Sequence, residues 1–394
     1  MRAEVMRAWW WHRQGLDGRL TGADPATVLA TTGWARSVGG AGPYLSLFAR
    51  AGSGRAGVDA AVADLAIFEL PAARGCTYVV PAADFGLALQ VGRHAPEAEA
   101  AVASKLGVPR GELDSLCSAV ADALAEGPLN PAGLKEVLGS AVRSLGAEGR
   151  KKGLSTTLPV ALGLLQAAGE IRRVPANGRL DQQRYAYTRW SPVPTGLSDE
   201  EARAELARRY FRWTGGASLA ELRWFTAFSA RHAKAAVAGL DLVDLGDGRL
   251  ASPEHAEELG AFRPADLPRY ALLAGIDALM LLRRDVKGLL DAADADRPVP
   301  GHRSGARLGD LADLPDHAIV DRGRLIGLWE YDVAAERIAW WVFDAEAAAD
   351  PELSAAVART ETYVRDQLGD ARGFSLDSPK SRAARVDALR AAAP

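Results

Sequence analysis

The chain has 394 residues, more than one ordinary domain holds, so we expect two to four domains. Its formal net charge of -3 excludes an overall basic protein, and any nucleic-acid binding must come from local patches. Two cysteines, Cys76 and Cys117, exclude a disulfide framework and lack metal-ligand spacing. With no apolar run long enough for a signal peptide or a membrane span, we expect a cytoplasmic, nucleoid-associated protein.

The first predicted element is a helix over residues 2–14 that contains three adjacent tryptophans, Trp9 to Trp11. Three consecutive indoles cannot all enter one core from a single helix, so we expect at least one to face a neighbouring element or a ligand. Asp24 is a typical N-cap and Pro25 a typical first helical residue, which predicts a second helix to residue 32.

The stretch 33–50 joins a glycine-rich loop to a helix. Residues 33–43 are rich in glycine, whereas Tyr44, Leu47 and Phe48 fall on one helical face after Pro43. A flexible loop set on a packed helix often forms a site, although an ordinary connection between helices fits the same residues. A helix at 58–65, a strand within 74–81 and a further helix complete this segment.

The next two segments repeat one order of elements. Helices are predicted at 112–126, 131–139 and 154–168, followed by a hairpin at 170–189 with Asn177-Gly178 as its turn. The same order recurs at 199–250, where Asp247-Gly248 is the turn. Helices followed by a hairpin are typical of winged helix-turn-helix modules, and the first segment can be read as a degraded version. We therefore predict winged-helix domains at 1–105, 106–196 and 197–265.

Beyond residue 264 the character changes. Strands are predicted in 318–331 and 337–343, followed by a closing helix at 352–368. We interpret residues 266–394 as a small β-barrel with a basic tail that is either helical or frayed. The predicted fold class is α+β, mainly α, with tandem winged helix-turn-helix modules before the barrel.

Residue patterns for cofactor or metal chemistry are lacking. The sequence has no Walker A loop, Rossmann fingerprint, His-Glu-x-x-His motif or nucleophile elbow. The cluster at 39–42 lacks a following Lys-Ser/Thr, so we reject a nucleotide site, and we predict no cofactor and no metal.

Basic residues concentrate in the second module, where two predicted elements converge. They are Arg143, Arg150, Lys151, Lys152, Arg172, Arg173, Arg179, Arg184 and Arg189. Such a patch suits contact with a phosphate backbone, while a solvated charged surface remains the alternative.

Five stretches in one order, at 44–50, 74–85, 158–187, 204–222 and 321–329, resemble successive landmarks of the AlkZ/YcaQ family of winged-helix DNA glycosylases. The resemblance implies a C-shaped clamp of three winged helices and a β-barrel around double-stranded DNA. It also implies hydrolysis of the N-glycosidic bonds of alkylated or crosslinked purines. We further expect a monomer and no membrane partner.

The resemblance fails at the catalytic motif. A family Gln-x-Gln or Gln-x-Asp motif that positions the water falls here on Arg36, Ser37 and Val38. Valine cannot orient water, and arginine opposes an oxocarbenium-like sugar but favours a phosphate. Candidate substitutes for the missing groups are His12, Gln14, Glu69 and Asp84. Candidate DNA contacts are Arg36, Tyr44, Arg50, Arg74, Thr77, Arg150, Lys151, Lys152, Arg172, Arg173 and Arg179.

Three functions follow from these patterns. The first is a DNA-binding protein with an altered or lost glycosylase site, serving damage recognition, regulation or self-resistance. The second is an active DNA glycosylase that removes bulky alkylated purines with other residues. The third is a protein that sequesters a small-molecule drug on the tryptophan cluster and the glycine-rich loop.

Overall fold

The computed structural model describes residues 3–182, 184–191, 195–302 and 305–393. About 52% of the chain is helical and the sheets are small and antiparallel, which confirms a mixed fold dominated by helices. Within the described ranges, no helix combines the length and the apolar character needed to cross a membrane.

The first segment is a group of helices around a small sheet. Its helices are α1 (Ala3–Arg13), α2 (Pro25–Thr32), α3 (Gly42–Ala51), α4 (Arg55–Ala63), α5 (Phe85–Gly92) and α6 (Pro96–Lys105), and its strands are β1 (Ala35–Arg36), β2 (Ile67–Pro71) and β3 (Thr77–Pro81). The strands pair antiparallel in the order β1-β3-β2. Ala35 and Glu69 both pair with Val79, one on each side, so the start of the glycine-rich stretch lies in one row with Glu69 across strand β3.

All three tryptophans of α1 are buried. Trp10 and Trp11 belong to the main hydrophobic core whereas Trp9 packs against Phe262, so one ring faces a neighbouring element as expected. The Nε1 of Trp9 donates a hydrogen bond to the Gly215 carbonyl at 3.0 Å, and that of Trp10 to the Leu279 carbonyl at 3.1 Å. Because the helix is surrounded by other segments, its rings pack in several directions at once. The cluster therefore serves packing within the protein.

The second segment contains helices followed by a hairpin, as expected. The elements are α7 (Arg110–Ala123), α8 (Pro131–Leu138), α9 (Gly146–Lys151), α10 (Leu158–Ala168), β4 (Ile171–Pro175) and β5 (Tyr185–Arg189). The loop of this hairpin is longer than the Asn177-Gly178 turn predicts, because β4 ends at Pro175 and β5 begins at Tyr185. α9 was not predicted, since its sequence is short and glycine-rich.

The third segment repeats the helices and adds a third strand to the hairpin. Its elements are α11 (Asp199–Thr214), β6 (Ala217–Ser218), α12 (Leu219–Thr226), α13 (Ala230–Val237), β7 (Val243–Gly246), β8 (Arg249–Ala251) and α14 (Pro253–Ala261). Strand β6 pairs with β8. Reciprocal capping hydrogen bonds between Ser198 and Glu201 fix the start of α11.

The last segment is built on a four-stranded antiparallel sheet. Its elements are β9 (Tyr270–Leu273), α15 (Ala278–Leu281), β10 (His317–Asp321), β11 (Arg324–Asp332), β12 (Arg337–Val342), α16 (Ala345–Ala349), α17 (Pro351–Tyr363) and α18 (Pro379–Ala392). The strand order is β12-β11-β10-β9, and within the described ranges the two outer strands do not pair. The predicted barrel was therefore wrong, because the sheet stays open.

The basic tail is helical and anchored. Helix α18 packs on β11 and β12, and Arg382 and Arg385 reach inward to the buried Glu330. Arg390 pairs with Asp332 at 2.7 Å. These ion pairs explain why the tail is ordered rather than frayed.

The main hydrophobic core crosses the predicted domain boundaries. It joins Trp34 of the first segment, Tyr210 of the third and Leu328 of the last. The division into four domains and the winged-helix assignment stay predictions, whereas the shared core shows that the first, third and last segments pack on one another.

Candidate functional site

The glycine-rich loop is held in place by a distant segment. The Ala41 amide donates to the Arg372 carbonyl at 2.9 Å, and the Ser375 amide donates to the Val38 carbonyl at 3.0 Å. A Cβ at Gly40 would lie 2.2 Å from the Arg372 carbonyl oxygen, so only glycine fits there. The loop is thus less flexible than its composition predicts.

The three residues at the family motif positions face different surroundings. Arg36 lies over the Tyr78 ring, 5.4 Å from its centroid, and its Nη1 donates to the Thr77 carbonyl at 3.4 Å. Ser37 is buried and donates from its hydroxyl to Oε1 of Glu69. Val38 is partly exposed. Of the three, only Ser37 offers a polar side chain to a buried acid.

Glu69 is the candidate substitute that lies beside the motif. Its Oε1 accepts hydrogen bonds from Ser37 and, at 3.2 Å, from the Tyr185 hydroxyl of β5. Its Oε2 is buried and has no hydrogen-bond partner in the described part of the chain. Burial raises the pKa of the Glu69 carboxyl, although Arg173 and the two hydroxyls partly oppose this. Glu69 therefore has one hydrogen-bonded oxygen, Oε1, and one buried oxygen, Oε2, without a partner among the described residues.

The other candidate substitutes are engaged elsewhere. His12 pairs with Asp17 at 2.6 Å through Nδ1. Gln14 is buried, and its Nε2 donates to the Thr32 carbonyl at 2.9 Å. Asp84 accepts from the Trp34 indole at 2.8 Å and pairs with Arg209. Each is committed to packing contacts, so the structure brings only Glu69 to the motif.

Two predicted DNA contacts lie inside the protein. The side chain of Arg50 has 0% exposure and forms a two-pronged ion pair with Asp277, with both N–O distances at 2.8 Å. Tyr44 is buried, donates to Asp59 at 2.5 Å and accepts from the Leu180 amide at 3.1 Å. These positions do not fit a DNA contact. Sequence patterns could not separate them from surface residues because arginine and tyrosine occur in both places.

Aromatic rings hold three of the other predicted contacts. The guanidinium of Arg74 lies 3.2 Å from the Trp224 ring centroid, Arg172 lies 4.8 Å from Trp190, and Arg173 lies 5.2 Å from Tyr185. Such stacking orients a guanidinium without neutralising it.

The remaining predicted contacts differ in exposure. Thr77 is partly exposed, and Arg179 forms an ion pair with Asp181 at 2.5 Å. Arg150, Lys151 and Lys152 are exposed at the end of α9. Of these three cations, only Lys151 forms an ion pair within the described part of the chain, with Glu148 at 2.6 Å.

A cavity of about 290 Å³ lies between the loop, the β4–β5 connection and the segment after α17. It is lined by Ala41, Arg179, Asp181, Gln182, Arg184, Leu368, Asp370 and Arg372. Arg372 closes one side by donating to the carbonyls of Gly39 and Asp181. The described residues include no cluster of His, Cys, Asp and Glu that could hold a metal ion.

Sequence reasoning missed two residues that build this region. Tyr185 was overlooked as a partner of Glu69 because 116 residues separate them. Arg372 was overlooked because it follows a predicted helix end with no motif around it. A possible signal for Tyr185 was its place in the hairpin that resembles a family landmark.

Known proteins resemble this chain in sequence and in fold. The sequence model of the family described as "DNA glycosylase AlkZ-like" matches residues 21–374. The fold is similar to that of the Streptomyces sahachiroi DNA glycosylase AlkZ, with a TM-score of 0.67 at 20% sequence identity, covering 94% of this chain and 98% of that chain. No curated protein matches the sequence.

Proposed function

Because the chain belongs to the AlkZ-like DNA glycosylase family, we propose that it binds double-stranded DNA containing alkylated purines. The observation that carries the proposal is the family match, which spans both the glycine-rich stretch and the basic second module. The binding site is altered, since Arg36 and Val38 stand where the family pattern has water-positioning residues.

The exposed cations of α9 support binding to the phosphate backbone. Arg150 and Lys152 are free of ion pairs within the described ranges, so their charge is available to a polyanion. Arg172 and Arg173 lie on strand β4 of the same segment, over the rings of Trp190 and Tyr185. Cations of this kind suit contact with a phosphate backbone, which positions a duplex without reading its sequence.

The structure weakens the case for a small-molecule binder. The tryptophan cluster that suggested it is buried, and two of its indoles donate to backbone carbonyls. The glycine-rich loop is occupied by residues 372–375. A duplex ligand therefore accounts for more of the described features than an aromatic drug does.

The test is salt-dependent binding to a duplex. We expect Arg150→Ala and Lys152→Ala to weaken affinity, because each removes one phosphate contact and lowers the slope of log K against log salt by about 1. Lys287→Ala, which removes an exposed lysine outside this module, is the control. Fluorescence anisotropy with a 7-methylguanine duplex at several salt concentrations measures both quantities. Unchanged slopes in both module variants would contradict the proposal for this surface.

A further inference from the structure

We propose that Glu69 is the catalytic carboxylate of the altered site, and that its Oε2 accepts a proton from the water that attacks the deoxyribose. This inference rests on the proposed function and extends it from binding to hydrolysis. It replaces the missing water-positioning residue at Val38 with an acid from strand β2 of the same sheet.

The two carboxylate oxygens of Glu69 differ in their hydrogen bonding. Both hydroxyl donors, from Ser37 and Tyr185, converge on Oε1. Oε2 is buried without a partner in the described part of the chain. Leaving a buried acceptor without a hydrogen bond is destabilising, so a native protein that keeps one needs a reason for it, such as a role in chemistry.

The hydroxyls of Ser37 and Tyr185 fix the orientation of the Glu69 carboxylate and so the direction of Oε2. Burial and the neighbouring Glu69 carboxylate raise the pKa of Tyr185 far above its usual value, so this hydroxyl keeps its proton and remains a donor. Ser37 lies next to Val38, at the centre of the family motif. Two donors from separate elements hold Oε1 and leave the other oxygen pointing away from both.

Burial and the nearby charge of Arg173 act on the Glu69 carboxyl in opposite directions. Burial raises the pKa of Glu69, which makes the carboxylate a stronger base than an exposed one. Arg173 opposes that shift and keeps the group ionised to lower pH. A carboxylate in this state also stabilises an oxocarbenium-like sugar, which Arg36 cannot do.

The step balances without a cofactor. The water oxygen bonds to C1′ of the deoxyribose as the C1′–N9 bond breaks, and the bonding electron pair leaves with the purine. The proton of the water passes to Oε2, and Glu69 later returns it to solvent. A 7-alkylpurine carries a positive charge that the departing electron pair neutralises, so the leaving group needs no acid. Because Oε2 is covered in the free protein, entry of the nucleotide must uncover it.

The test compares Glu69→Gln with the unchanged protein on a duplex carrying 7-methylguanine. Glutamine preserves the shape and can still accept the two hydroxyl hydrogen bonds, but it cannot take the proton. We expect base release to fall about 100-fold or more, with duplex affinity unchanged. Glu205→Gln, an ion-paired surface acid on α11, is the matched control and should keep full activity.

A second variant separates catalysis from folding. Glu69→Ala should lose base release and regain part of it in formate, which supplies a carboxylate in the vacated space. Base release by Glu69→Gln within threefold of the unchanged protein would overturn the role of Glu69 alone. If the unchanged protein binds the duplex but releases no base, then hydrolysis itself is refuted together with this inference.

Discussion

Two acids flank the glycine-rich stretch, and their hydrogen bonding differs. Asp277, on the side of helix α3, has both oxygens bound by Arg50 at 2.8 Å, and its Oδ1 also accepts from the Leu279 amide at 2.9 Å. Glu69, on the side of strand β1, has hydrogen bonds from described residues on Oε1 only.

The pKa values follow the same division. Burial alone would raise the pKa of Asp277, but the Arg50 guanidinium outweighs it and holds that pKa below the usual range. For Glu69 burial prevails and the pKa is raised. The α3 side of the stretch therefore carries an ion pair that stabilises the fold. The β1 side carries an acid whose raised pKa suits proton transfer.

The largest effect should come from breaking the satisfied pair. We expect Asp277→Ala to lower the free energy of unfolding by about 3–5 kcal/mol, because it leaves the Arg50 charge buried and uncompensated. Urea unfolding at pH 7 measures this. The double variant Arg50→Met/Asp277→Leu should recover most of the loss, since no charge remains buried. If Asp277→Ala is as stable as the unchanged protein, the Arg50–Asp277 pair does not stabilise the fold as we expect.

The unsatisfied acid should instead give a pH-dependent effect of the opposite sign. With its pKa raised in the folded state, Glu69 contributes stability that is fully present below its unfolded pKa and is lost as pH rises through the folded pKa. Glutamine does not titrate. Glu69→Gln should therefore gain stability relative to the unchanged protein from acid to neutral pH, by on the order of 1 kcal/mol. Urea unfolding from pH 4 to pH 8 measures it, and a difference that shrinks with pH would contradict the raised pKa.

The smallest effects should come from two serines, one hydrogen-bonded to each half of the comparison: Ser46 to Arg50 and Ser37 to Glu69. Ser46→Ala removes an acceptor 2.9 Å from Arg50 and should cost about 0.5–1.5 kcal/mol of stability, with base release unchanged. Ser37→Ala removes a donor to Glu69, so the pKa of that acid should rise further and the acid limb of base release should move to higher pH. The pH profiles of the two variants decide this, and identical profiles would argue against a special role for Ser37.

The sequence predicted most helices and hairpins because their signals are local. Asp24 caps α2 by accepting from the Thr27 amide, and Asp247-Gly248 turns the hairpin of the third segment. The open edge of the last sheet was not predictable in this way. Whether β9 and β12 meet depends on packing between distant segments, for which a single strand carries no signal.

The candidate site was predicted only in part. The motif positions and Glu69 could be proposed from sequence, but the burial of Arg50 and Tyr44 could not. Their exposure depends on Asp277 and Leu180, which lie far along the chain. The one-sided hydrogen bonding of Glu69 likewise required Tyr185 to be placed beside it.

The contact between the glycine-rich loop and residues 372–375 has a consequence for synthesis. Ser37 and Glu69 leave the ribosome early, but Val38 and Ala41 acquire their backbone partners only after Ser375 has been made. Closing so long a loop of chain costs entropy that local contacts do not repay. The loop at 38–41 therefore acquires its final backbone contacts late, after residues 372–375 have been made.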